Sequence, residues 1–217
     1  SQGKYWHQNA IDFPESGELP VYAMTARDEI TFKTPDALLN GQATVDVIQS
    51  CMPNIKNAWS CPSIDLDVIL IAIRMATYGE TIEISATVPN TKVVRDFGYS
   101  LQTVYDHLQA AKFETIHKID GFTVEIKPIS YKTQTEQAVK AFEEQRVFSI
   151  IDNDDIDQSV KLAKFQQAFT KLTEININVL IDSVLSLQPD GEAEAVTNPA
   201  YFCLLYTSDA ADEKRCV

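Results

Sequence analysis

Between Pro62 and Gly79 the chain reads SIDLDVILIAIRMATY, and Leu66, Val68, Ile69, Leu70, Ile71, Ile73 and Met75 leave this segment almost no polar face. Pro62 stands just before it, Asp65 and Asp67 occupy its first turns, where the helix dipole favours negative charge, and Gly79 follows its end. The spacing predicts a helix over 63–78. A helix apolar around most of its circumference must be covered on several sides, so the remaining elements have to wrap it as the central buried helix of the core.

The flanking segments supply such elements. Leu19–Thr25 (LPVYAMT) and Glu29–Lys33 (EITFK) are rich in β-branched and aromatic residues and read as short strands. Thr34, Pro35 and Asp36 open a helical stretch that Asn40 and Gly41 break before the segment Ala43–Cys51. Beyond the central helix, Thr81–Ala86 alternates polar and apolar as a half-buried strand does, and Lys92–Leu101 returns as its hairpin partner. Gln102–Lys112 reads as helix and Phe122–Ile126 as a further strand.

From Thr133 the pattern becomes helical, with Thr133 and Glu136 at capping-box spacing. Leu162, Phe165, Phe169 and Leu172 recur at i, i+3, i+7 and i+10, and Ile177, Leu180, Val184 and Leu187 repeat the spacing, as in a helix that offers one seam to a partner. Two heptads fall short of the three to four that argue a coiled coil, so packing within the chain is favoured. The fold class expected is α+β: a small mixed or antiparallel sheet with a central buried helix (63–78) and a C-terminal helical subdomain. The corresponding divisions are an α+β core domain at 1–130, a helical subdomain at 131–202, and a tail at 203–217.

That tail reads CLLYTSDAADEKRCV, from Cys203 to Val217. It resembles the translation of a sequencing-library adapter and is expected to be non-native and to pack poorly on the rest. Ser1, followed closely by Gly3, Lys4, Tyr5 and Trp6, reads as the interior of a longer gene, and Asn198 with Pro199 as the start of one more helix.

Charge and composition narrow the function classes. The 217 residues carry 18 Lys and Arg against 31 Asp and Glu, a net charge of -13. Phosphate-binding surfaces depend on the opposite balance, which argues against a nucleic-acid partner. Mean hydropathy of -0.14 is ordinary for a folded soluble protein. The longest apolar run, Val68–Ile73, is far below bilayer-spanning length, so no membrane association is expected.

No residue pattern carries recognisable catalysis. The seven glycines, at 3, 17, 41, 79, 98, 121 and 191, are too dispersed for a phosphate cradle or a nucleophile elbow. His7, His107 and His117 have no HExxH or Cys neighbours and read as surface or packing residues. Cys51 and Cys61 lack CxxC spacing and read as free, packed thiols in preference to a disulfide.

Ile151–Asp157 (IDNDDID) places Asp152, Asp154, Asp155 and Asp157 within one short run, the strongest metal signal in the chain. As a calcium loop counted from Asp152 it has Ile156 at the fifth position, Asp157 where glycine is needed at the sixth, and Ala163 where a bidentate Glu belongs. A solvated connection ending in an acidic helix cap is preferred. Asp65 with Asp67, and Glu143 with Glu144, point to different helix faces and make poor acid and base pairs. No catalytic, cofactor-binding or metal-ligating residue is assigned, and no cofactor or small-molecule substrate is expected.

Three segments carry a resemblance: Leu19–Gly41 (LPVYAMTARDEITFKTPDALLNG), Val45–Asn57 (VDVIQSCMPNIKN) and Ile64–Glu80 (IDLDVILIAIRMATYGE). Together they resemble the baseplate hub protein family of T-even-like myoviruses, the contractile-tailed phages, over most of Gly3–Phe202. The resemblance implies a non-enzymatic protein of the virion tail baseplate, or of the host cytoplasm during assembly, whose partners are other baseplate or hub subunits. It also implies a departure. Many relatives carry a CPxC knuckle after the strand that here runs Thr81–Thr87, completed by a second CxxC near the C-terminus. This chain has Val88, Pro89, Asn90 and Thr91 at that place, so no zinc ligand carries over. Two variants follow, a virion component and an assembly chaperone absent from the mature particle. The remote alternative is a metal-dependent hydrolase built on the Asp152–Asp157 run.

Overall fold

The computed structural model describes residues 3–35, 40–151, 157–191 and 194–198, with side chains given outside 145–151. The expected helix at Thr34–Asp36 lies largely outside the described residues. The helix at Asn198–Pro199 does so too, as do Asp152, Asp154, Asp155 and the tail Cys203–Val217. The fold is α+β. Six α-helices and two small antiparallel sheets are present among the described residues. The chain divides into two compact units, 1–113 with 130–132, and 114–129 with 133–217.

In the first unit, α1 (Ala26–Phe32) starts at a reciprocal cap. The Thr25 hydroxyl oxygen accepts from the Asp28 N–H, and the Asp28 carboxylate accepts from the Thr25 N–H at 2.8 Å. This corrects the strand expected at 29–33: the Thr-x-x-Asp spacing at 25–28 outweighs the β-branched composition. The strand expected at Leu19–Thr25 is likewise absent. Its Leu19, Val21 and Met24 do pack on the core, but Tyr22 N–H donates to the Cys51 carbonyl and Met24 N–H to the Thr77 hydroxyl, so the segment is laid across helices and joins no sheet.

Helix α2 (Gln42–Cys51) follows Gly41, whose φ of 77° is open to glycine and strained for other residues. A 3₁₀ turn (Ala58–Ser60) leads to α3 (Ser63–Tyr78), which begins after Pro62 and stops at Gly79, the span expected from the sequence. Val45, Val47, Ile48, Cys51, Met52, Ile55, Ala58 and Cys61 are buried and meet Leu66, Ile69 and Ile73 of α3. Each large aliphatic side chain taken fully out of water contributes about 1.5–3 kcal/mol. Trp6, Trp59 and Tyr131 pack at the margin of this core, with Trp59 and Tyr131 stacked at 5.7 Å.

Gly79 turns the chain into β1 (Thr81–Thr87), which pairs antiparallel with β2 (Val94–Ser100) and leads straight into α4 (Leu101–Ala110). A backbone bond of 2.7 Å from Leu101 N–H to the Glu80 carbonyl closes the base of this hairpin.

In the second unit, β3 (Ile116–Ile119), β4 (Phe122–Ile126) and β5 (Val184–Pro189) form an antiparallel sheet in the order β3-β4-β5. Helix α5 (Tyr131–Ile151) begins two residues ahead of the expected cap at Thr133, and α6 spans Gln158–Ser183. The seam expected to continue through Val184 and Leu187 ends at α6. Val184 is extended, Val124 faces Leu187 across the β4–β5 ladder, and Leu187 exchanges two backbone bonds of 2.8 Å with Val196. Strand pairing from a distant segment overrides the local heptad spacing there.

Candidate functional site

Among the described residues, both thiols and several carboxylates are engaged in structure. Cys51 and Cys61 are free, fully buried thiols. Burial pushes both up in pKa, with Asp28 adding to the effect at Cys51 and Asp65 at Cys61, so neither is poised as a thiolate nucleophile or ligand. Asp28 is buried close enough to Cys51 to act on its thiol. Burial raises its carboxyl, but hydrogen bonds from Thr25 and Ser50, with Arg27 nearby, outweigh this and hold it below the usual carboxylate range. Asp65 accepts from the Trp6 indole N–H at 2.9 Å, tying the N-terminal segment to α3.

The histidines stand apart from these. His7 and His107 are exposed, and His117 is half-buried with its Nε2 3.0 Å from the Glu114 carbonyl. Asp157, the described member of the acidic run, caps α6: it accepts from the Ser159 hydroxyl and from the Ser159 N–H at 2.8 Å, and the two bonds lower its pKa. Glu144 accepts from Lys171 Nζ at 3.0 Å, joining α5 to α6. Among the described residues no three His, Cys, Asp or Glu side chains gather as a metal site, and no helix is long and apolar enough to cross a membrane. A shallow groove of about 490 Å³ at the start of α6 is lined by Gln158, Ser159, Lys161, Leu162 and Phe165, which carry no carboxylate or imidazole.

What the molecule does offer is exposed apolar surface on regular elements. The strand pattern of Thr81–Ala86 predicts half-burial, but Ile82 is the one strand residue that is half-covered, and the rest of both strands is exposed. The register pairs Ile82 with Tyr99, Ile84 with Phe97 and Ala86 with Arg95. Because successive side chains alternate between faces, these six share one face, and Thr81, Glu83, Ser85, Thr87, Val94, Asp96, Gly98 and Ser100 share the other. Ile84, Phe97 and Tyr99 are 47%, 50% and 49% exposed. At the tip, Val88 N–H donates to the Val93 carbonyl at 2.9 Å, and Asn90 and Lys92 adopt positive φ. The positions where a knuckle would supply thiolates hold Val88 and Thr91, which form a plain turn.

A second exposed apolar set lies on α6, where Leu162 and Phe169 of the expected seam face solvent and Phe165 stacks on Phe169 at 6.4 Å. The expectation that this seam packs within the chain is thus corrected at Leu162, Phe165, Phe169 and Leu180, all exposed. The fully buried residue of α6 is Ala168, three positions from Phe165 and four from Leu172 along the same side of the helix.

A family model described as T4 bacteriophage base plate protein matches residues 15–186. No curated protein and no solved structure gives a significant match.

Proposed function

The chain belongs to the T4 bacteriophage base plate protein family, and from that premise we propose that it works at the hub of the tail base plate, building or assembling it by binding other base plate subunits. The family match over residues 15–186 is the observation that carries this reading. The physical properties of the chain accord with it. The Cys51 and Cys61 thiols are packed in the core and the Asp28 and Asp157 carboxylates serve as helix caps, while large apolar side chains stand open on a hairpin and a helix. Exposed apolar patches of that kind are typical of surfaces that another protein covers. The protein acts as a virion component, its binding energy going into a lasting contact and not into turnover.

Quantitative mass spectrometry of purified particles tests the proposal. A virion component is present at fixed stoichiometry with the other base plate proteins. Its absence from mature particles, with presence in assembly intermediates, would make it a transient chaperone instead. A hydrolase built on the Asp152–Asp157 run receives no support from Asp157, whose carboxylate is taken up in capping α6.

A further inference from the structure

We propose that the hairpin β1–β2 is a docking arm that inserts its Ile82, Ile84, Phe97 and Tyr99 face into an apolar groove with a basic rim on a different base plate subunit; this deepens the assembly reading above and rests on it. The arm is well defined in the sequence of the fold. It leaves α3 at Gly79, returns into α4 at Leu101, and is closed at its base by the Leu101–Glu80 bond. Seven residue pairs form its ladder, yet neither strand has a further sheet neighbour among the described residues. A two-stranded hairpin alone is marginally stable in water, and open edges with an apolar face are features that proteins normally cover. A partner is therefore built into the logic of the element.

Area decides what kind of partner. Seven pairs at ~3.3 Å per residue, two strands wide, present a face of roughly 250 Å². Face-to-face packing of two such hairpins would fall well short of the roughly 800 Å² per partner of a stable interface. A second copy is disfavoured again by charge, because each chain carries -13. A groove that wraps the arm reaches the required area by covering the apolar face, the open edges and part of the polar face together. The polar face carries Glu83 and Asp96 and no base, while Arg95 shares the apolar face near the tip and Lys92 lies in the turn. The rim that meets Glu83 and Asp96 is accordingly basic.

The test uses the full chain and the other base plate proteins of the same phage, each purified singly, with affinity measured by calorimetry. One of them should bind the parent chain, and Ile84→Ser with Phe97→Ser should weaken that binding about 100-fold, the scale of losing two buried anchors. Both positions are exposed, so the melting temperature should hold, and Ile119→Ser, on the exposed strand β3, should bind as the parent does. Hydrogen exchange on the unmutated complex gives an independent readout: amides of Thr81–Ser100 should gain protection on binding. Unchanged affinity in the double variant together with unchanged exchange would overturn the docking arm and leave the assembly reading standing. A homodimer of the parent chain that the double variant abolishes would overturn the choice of a different subunit. If no base plate protein binds the parent chain, the assembly reading fails and the arm's role with it.

Discussion

Asp28 shows how much one side chain can determine. Its carboxylate accepts from the Thr25 N–H, the Thr25 hydroxyl and the Ser50 hydroxyl at 2.8, 2.7 and 3.1 Å, so it caps α1 and fastens that helix to α2 at once. Because its folded pKa is depressed, its contribution is fully present above the unfolded carboxyl value and is lost as pH falls through the lower folded value. Asp28→Asn should therefore lower stability by about 1–2 kcal/mol at neutral pH, since the amide replaces charge-assisted bonds and brings a donor with no partner there. It should also flatten the loss of stability below about pH 4. Urea unfolding at neutral and acid pH measures both, and a variant with the parent's stability and acid slope would show that the cluster is dispensable. The sequence contained the signal for this residue, as Thr25 and Asp28 stand at capping-box spacing, but the β-branched composition of EITFK was the more conspicuous pattern.

At the scale of elements, agreement between sequence and structure follows how local the determinants are. Helix α3 appears over the expected residues because its signals, Pro62, the early acids and Gly79, all act within a turn of its ends. The hairpin β1–β2 appears for a similar reason, as its partner is the next segment of chain. Strand β5 has no such locality. Val184 and Leu187 sit at helical spacing after Ile177 and Leu180, yet they pair with β4, some sixty residues earlier, and with Val196. Val196→Pro separates the two descriptions. It removes the N–H that donates to the Leu187 carbonyl at 2.8 Å and should cost roughly 1–2 kcal/mol in urea unfolding, with faster amide exchange at Leu187. If 184–187 continued the helix instead, a proline at 196 would leave both measurements as they are.

Across the whole molecule the governing property is charge. A net charge of -13 sets copies of the chain against one another electrostatically and favours encounter with basic surfaces. Association with its base plate partner should slow at least tenfold as salt rises from about 50 mM to about 500 mM, where the screening length shrinks severalfold. The dissociation rate should change little, because apolar contacts such as those proposed for the hairpin are insensitive to screening. Stopped-flow kinetics across that range checks the expectation, and a flat association rate would mean that the acidic surface has no part in recognition.

The acidic balance, the helix over 63–78, the hairpin that follows it and the residues resembling the base plate hub family are all determined by the sequence itself. Each depends on composition or on neighbours within a few positions. The tertiary structure alone decided that Val184–Pro189 is a strand, that the deepest burial falls on Val47, Ile48, Cys51, Ile55 and Cys61, and that Ile84, Phe97, Leu162 and Phe169 stay in water. Apolar periodicity states only that a face must be covered. Which face the chain's own core covers, and which it leaves for another protein, depends on contacts between segments far apart in sequence, and spacing along one segment carries no information about those.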